Sequence, residues 1–241
     1  MRKNVIVKIG LCVFAALALC GGEAFAQEKT SVSAGADLVS GYYWRGQNLG
    51  GVSVQPSLAI AKSGLSLTAW GSVGLDKEDT KEFDLTLGYT VGNFSVAVTD
   101  YYFKYFDPQG INDKYFNYSS PSTSHVYEAT LAYNFGPLAL AWNTNFSGSD
   151  YYKEDASRAY SSYVEVSAPF TLGGVDLKAE AGAAPWGGAY TPYKDSFAVV
   201  NLALSATKSI PVSSTFSLPA FVKLGVNPQQ ESVNFVFGLK F

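Results

Sequence analysis

Ser232-Val233-Asn234-Phe235-Val236-Phe237-Gly238-Leu239-Lys240-Phe241 is the stretch whose reading decides the fold. Side chains on an extended strand alternate between its two faces. Val233, Phe235, Phe237, Leu239 and Phe241 therefore share one side, and Asn234, Val236, Gly238 and Lys240 the other. One side is wholly apolar and ends on an aromatic ring. Such a strand suits the edge of a soluble sheet or a sheet that turns its apolar side to lipid. The rest of the chain decides between them.

The same period recurs towards the N-terminus. In Ser31 to Arg45, the residues Val32, Ala34, Ala36, Leu38, Tyr42 and Trp44 oppose Ser33, Gly35, Asp37, Gly41 and Arg45. Phe83, Leu85, Leu87, Tyr89 and Val91 oppose Glu82, Asp84, Thr86, Gly88 and Thr90. Val175, Leu177, Ala179, Ala181 and Ala183 oppose Asp176, Lys178, Glu180 and Gly182, and Ala198, Val200, Leu202, Leu204 and Ala206 oppose Asn201, Ser205 and Thr207. Twelve such segments are expected, each about ten residues long, which is the length a tilted strand needs to cross a bilayer. The even number suits a single-chain bacterial barrel. Beyond the first residues no apolar run reaches the ~18 residues of a spanning helix, so a helical membrane protein is excluded.

The connections separate a membrane barrel from a secreted sandwich. Short turns are expected at Lys62 to Gly64, Gly92-Asn93, Gly136-Pro137 and Thr171 to Gly174, with a longer one at Lys208 to Thr215. The connections at the other end are mostly longer: Gly46 to Val52, Leu75 to Lys81, Lys104 to Ser124, Ser147 to Arg158, Pro185 to Asp195 and Asn227 to Glu231. Outer-membrane barrels have this asymmetry. Phe94, Phe135, Phe170, Phe216 and Phe241 fall beside the short turns, and Tyr42, Trp44, Tyr102, Phe146 and Tyr160 towards the long loops, as two interfacial girdles would. Twelve strands also enclose more volume than small aliphatic side chains fill, so the apolar faces point outwards. Lipid tolerates no open sheet edge, so the first strand must pair with Ser232–Phe241.

Arg2, Lys3 and Lys8, the apolar run Ile9 to Leu19 and Ala24-Phe25-Ala26 read as a secretory leader cut after Ala26, leaving 27–241 as one barrel domain. An alternative, weaker lipoprotein signal would acylate Cys20. Both cysteines, Cys12 and Cys20, leave with the leader, so no disulfide, Cys-based metal site or Cys nucleophile is expected. Of 17 basic and 20 acidic residues, Arg2, Lys3, Lys8 and Glu23 leave too, and the remaining acidic balance argues against nucleic acid as a partner.

Asp37, Arg45, Glu82, Asp84, Glu128, Glu165, Asp176, Lys178, Glu180, Lys223 and Lys240 all fall opposite the apolar stripe and are the expected lumen lining. Arg45 is placed near the outer rim, paired with Asp37 or Glu82 or meeting an anionic solute. Glu82, Asp84, Glu128 and Glu165 would bias a pore towards cations, diluted by Lys178, Lys223 and Lys240.

Three stretches carry a family resemblance: Ser40-Gly41-Tyr42-Tyr43-Trp44-Arg45-Gly46, then Gln55-Pro56, then Ser63-Gly64-Leu65 through Ala69-Trp70-Gly71-Ser72. With Phe83-Asp84-Leu85, Gly88-Tyr89 and Tyr101-Tyr102, the chain from Asp37 to Phe103 resembles the opening of the TorF-type porin family, conserved bacterial outer-membrane proteins of unknown function. The Gln and Pro stand in permuted order, and the second half shows only barrel alternation. Separately, the apolar stripe ending on Phe241, with Phe235, Phe237 and Leu239, is similar to the closing strand that the barrel-assembly machinery reads. These resemblances imply an outer-membrane channel, with lipid and the assembly machinery as partners and a small polar solute as cargo. They imply no cofactor and no catalytic residue.

Two other functions suit parts of the pattern. A non-conducting structural or adhesion barrel would act through Lys104 to Ser124. A lipid-modifying enzyme would use His125, the only histidine, with Asp100 on the neighbouring strand; both face outwards by register. It would also need a Ser nucleophile, and no Gly-x-Ser-x-Gly signature is present.

Overall fold

The computed structural model describes residues 29–104, 114–119, 122–192 and 195–241. The leader and its cut after Ala26 lie outside the described residues, as do 105–113 and 120–121 of the longest loop. The strands, in chain order, are β1 (Ser31–Val39), β2 (Tyr42–Trp44), β3 (Gln47–Gly50), β4 (Ser53–Lys62), β5 (Leu65–Gly74), β6 (Lys81–Val91) and β7 (Phe94–Lys104). They continue as β8 (His125–Asn134), β9 (Ala139–Gly148), β10 (Ser162–Leu172), β11 (Val175–Ala184), β12 (Ala198–Pro211), β13 (Ser217–Asn227) and β14 (Ser232–Lys240).

Twelve of these close into an antiparallel barrel: β1 pairs with β14, and the order runs back through β13 to β4, which pairs with β1 again. The seam is short in register, with Asp37 opposite Lys240, Leu38 opposite Leu239 and Val39 opposite Gly238. Further backbone bonds extend it, from Phe241 N to Ala36 O at 2.9 Å, Ala36 N to Phe241 O at 3.1 Å and Ser40 N to Phe237 O at 2.9 Å. Where β1 and β14 overlap, closure pairs two edges that an open sheet would leave free.

The alternation sets the two surfaces. Leu58, Leu67, Val98, Leu131, Leu204, Leu224, Phe235 and Phe237 are exposed around the outside, while Ser53, Ser72, Glu82, Asp84, Thr99, Glu128, Asn143, Asn145 and Asn201 are buried. The molecule is inside-out relative to a soluble protein, whose largest apolar patches are far smaller than a belt round every strand. Phe94, Phe135, Phe170, Phe216 and Phe241 are exposed at the short-turn end, and Phe146 and Tyr160 towards the loops.

Two expectations fail at the loop end. The first strand does not run to Arg45: β1 stops at Val39, and β2 and β3 form a separate hairpin. Its tip is Arg45-Gly46, both with positive φ (48° and 84°), the conformation of a tight hairpin turn whose twist matches its strands. Tyr42 and Trp44 thus leave the expected outer girdle and line internal cavities. Tyr102 keeps its outward register but is buried beside Tyr115 and His125. The second failure is in β12. A register shift against Gly182 and Ala183 leaves Val199 and Leu202 exposed but buries Ala198 and Val200, which were expected on the outer face. Both join an internal cluster with Tyr163, Ala184 and Tyr190, against which Trp44 packs.

Candidate functional site

The lumen is organised by the β2–β3 hairpin, which reaches across it. Gly46 lies against β12 so closely that an added Cβ would sit 1.8 Å from Val200 O, and its positive φ would strain any other residue independently. Asn227 Nδ2 donates to Gly46 O at 3.0 Å, and Gln47 Nε2 donates to Ala189 O at 3.1 Å. Tyr43 donates its hydroxyl to Asn201 Oδ1 at 3.1 Å. Asn201 Nδ2 donates to the Tyr163 oxygen at 3.0 Å, and Tyr163 donates to Glu165 Oε2 at 2.7 Å. A hydrogen-bonded line therefore ties the hairpin to the β10 wall.

Arg45 is the strongest of these anchors. Its guanidinium makes a two-pronged contact with Glu128, Nη1 to Oε2 at 2.5 Å and Nη2 to Oε1 at 3.0 Å, and Nη1 also donates to the Tyr190 hydroxyl at 2.7 Å. Tyr101 donates to Glu128 Oε1 at 2.9 Å. The guanidinium carbon lies 4.2 Å from the Trp44 ring centroid, within cation–π range. The expected partners Asp37 and Glu82 are not the ones used: Glu128, 83 residues away, is. Burial works against the charge on Arg45, but Tyr190 and Glu128 more than offset it and raise its pKa above the usual range. Burial also pushes the Tyr190 phenol up to about 12, so it remains a neutral donor and acceptor at physiological pH.

The remaining charges fall into two groups. On one wall Lys178 Nζ meets Glu180 at 2.6 Å and Glu165 at 3.8 Å, and Lys223 Nζ meets Glu180 at 2.6 Å. Lys240 approaches Asp37 at 4.0 Å, and Asp176 accepts from Thr171 at 3.0 Å beside the short turn. These groups largely compensate one another. On the β6 wall Glu82 and Asp84 are both buried, and neither forms an ion pair among the described residues.

Two cavities of about 240 and 490 Å³ lie along the lumen. Tyr42, Trp44 and Tyr101 line both and form the wall between them. Glu82, Asp150 and Tyr190 belong to the smaller cavity; Asp84, Thr68, Thr86, Thr99 and Lys223 belong to the larger. Burial, then the carboxylates of Glu82 and Asp84, hold the Tyr42 phenol far above its ordinary value, so it faces both carboxylates as a neutral group.

The outer-face pair expected from register is present. His125 Nδ1 is 2.7 Å from Asp100 Oδ1, and the ring is fully buried among Tyr102, Tyr115, Tyr118 and Tyr127. Its second nitrogen, Nε2, lies 2.6 Å from the backbone oxygen of Tyr115. In a hydrolytic triad that nitrogen faces the nucleophile. Here a loop carbonyl takes the place, and among the described residues no hydroxyl contacts the ring nitrogens. The pair fastens the long loop to the outside of β8.

No family model matches the sequence, and no curated protein matches it. Among solved structures the chain is similar to an outer membrane channel from Pseudomonas putida F1, at 15% identity and a TM-score of 0.42, covering 90% of this chain and 96% of that one. It is similar to the outer membrane protein OprD from Pseudomonas aeruginosa, at 11% identity and a TM-score of 0.36, covering 91% and 66%. It is also similar to BamA from Haemophilus ducreyi, at 12% identity and a TM-score of 0.38. That match covers 82% of this chain and 41% of the BamA chain.

Proposed function

We propose that the protein is an outer-membrane channel that passes small polar solutes through a lumen narrowed by the β2–β3 hairpin. The observation that carries this reading is the inversion of the barrel, with an apolar belt outside and buried carboxylates, amides and hydroxyls inside. Strands of 9 to 14 residues are long enough to cross the hydrocarbon layer when tilted. Polar walls let a solute exchange its hydration for protein partners. The expected leader, the closing strand with Phe235, Phe237, Leu239 and Phe241, and the stretch that resembles TorF-type porins support export, insertion by the assembly machinery and this class of barrel.

A second reading has its own support. The hairpin is held by Arg45, Tyr43, Gln47 and Gly46 at once, and a lumen closed that firmly suits a non-conducting barrel acting through its loops. Single-channel recording of the refolded full chain in planar bilayers separates the two. Small, discrete steps in potassium chloride are expected. Insertion verified by a folded, heat-sensitive gel band, with no steps at any voltage, would assign the second reading.

A further inference from the structure

Three neighbouring strands place one carboxylate between two aromatic rings. Trp70 on β5 is the register partner of Asp84 on β6, and Asp84 is the register partner of Tyr101 on β7. All three face the larger cavity, and Tyr42, Tyr43 and Trp44 of the hairpin face it as well. One register step along, Thr68, Thr86 and Thr99 form a row of hydroxyls on the same wall. Asp84 is only 7% exposed, and its Oδ1 is buried with no hydrogen-bond partner among the described residues. A buried carboxylate oxygen without a donor is costly, and the neighbouring Glu82 carboxyl, which shares a side-chain hydrogen bond with Asp84, brings it no cation.

From this we infer that the larger cavity is a binding chamber for a small organic ammonium ion, with Asp84 as its counter-charge and Trp70, Tyr42 and Tyr101 as its walls. The proposal names the solute class for the lumen and rests on solutes reaching it, as proposed above. A cavity of about 490 Å³ falls in the range of small-molecule sites. Ammonium groups are held by carboxylates and by the negative faces of aromatic rings together. A hard metal ion is a poorer fit, because it wants six or more oxygens, and no group of three His, Cys, Asp or Glu converges anywhere among the described residues. An anion fits worse still. The one cation lining the chamber, Lys223, is drawn to Glu180 at 2.6 Å, and Arg45 is held by Glu128. Arg45 already covers a face of Trp44, which leaves Trp70, Tyr42 and Tyr101 to meet the ligand.

Trp44 and Trp70 line the chamber, so indole fluorescence reports on it without any need for conductance. The refolded full chain in detergent is titrated with phenethylammonium chloride and, separately, with sodium phenylacetate, which carries the same ring with the opposite charge. A saturable change is expected with the ammonium ion and a response at least about tenfold weaker with the carboxylate. Asp84→Asn is expected to weaken ammonium binding about tenfold or more, because a charge-assisted contact becomes a neutral one. Asp176→Asn, at the short turn outside the chamber, is expected to leave it unchanged. Both variants are first shown to run as the folded, heat-sensitive band. Equal binding of the two probes, no saturable change, or unaltered binding by folded Asp84→Asn would overturn the proposal. Saturable ammonium binding by a barrel that never conducts would overturn the channel reading and leave the chamber standing. Conductance without ammonium binding would do the reverse.

Discussion

Arg45→Ala is expected to destabilise the folded barrel by about 3–5 kcal/mol, the usual cost of removing one partner from a buried ion pair. The cost arises at Glu128, which is 1% exposed and would be left with only the Tyr101 hydroxyl, at 2.9 Å, and a longer contact from Thr130. The same substitution removes the contact to Tyr190 and the cation over Trp44, so the hairpin loses its central anchor while Tyr43, Gln47 and Gly46 keep theirs. Urea unfolding in lipid vesicles, followed by tryptophan emission, measures the first effect. Removing both charges in Arg45→Ala/Glu128→Ala is expected to recover part of the loss, since no uncompensated carboxylate remains. A double variant no more stable than Arg45→Ala would mean that the anchor works through packing rather than charge.

The second large effect lies on the outside. Leu58 is exposed at mid-strand, opposite Ala34 on β1 and Ala69 on β5, whereas its neighbour Ala59 faces inwards beside Ser33 and Thr68. If the belt meets lipid, Leu58→Arg places a guanidinium near the middle of the hydrocarbon and costs about 2–4 kcal/mol. Ala59→Arg places the same group in the lumen and is expected to cost less than about 1 kcal/mol. The comparison moves the same introduced side chain by one residue, from one face to the other. Equal effects from the two, read from the urea midpoint in the same vesicles, would contradict a lipid-facing belt.

The outer belt was legible because it depends only on period two. Val233, Phe235, Phe237 and Leu239 declare their side without reference to any other strand, and so do Leu85 and Leu87 on β6. The closing partner was legible too, since a barrel leaves β1 no other edge. The hairpin was not. Alternation runs through Ser40-Gly41 into Tyr42 and Trp44 without a break, and period alone cannot mark where a strand leaves the sheet. Gly46 was the available signal, as a residue that takes positive φ freely at a two-residue turn, whereas Arg45 takes it against its preference. The inward turn of Ala198 and Val200 was hidden for a related reason: a register shift is a property of two strands, and nothing within β12 announces it. Inside the barrel, the acidic residues were found by face, but which of them are compensated depends on pairings between distant strands. Glu128 meets Arg45 and Glu165 meets Lys178, whereas Asp84 stands between Trp70 and Tyr101, and only the register shows it.

In the channel proposed above, the hairpin rather than the barrel wall narrows the solute path. Replacing Tyr42–Gly50 with a short glycine-serine linker removes Tyr42 and Trp44 from between the two cavities, and the Arg45 anchor with them, while leaving the twelve barrel strands intact. Single-channel recording of this variant beside the wild type is the most direct measurement. Small steps are expected from the wild type and severalfold larger ones from the variant. Identical step sizes from two folded, inserted proteins would contradict that narrowing.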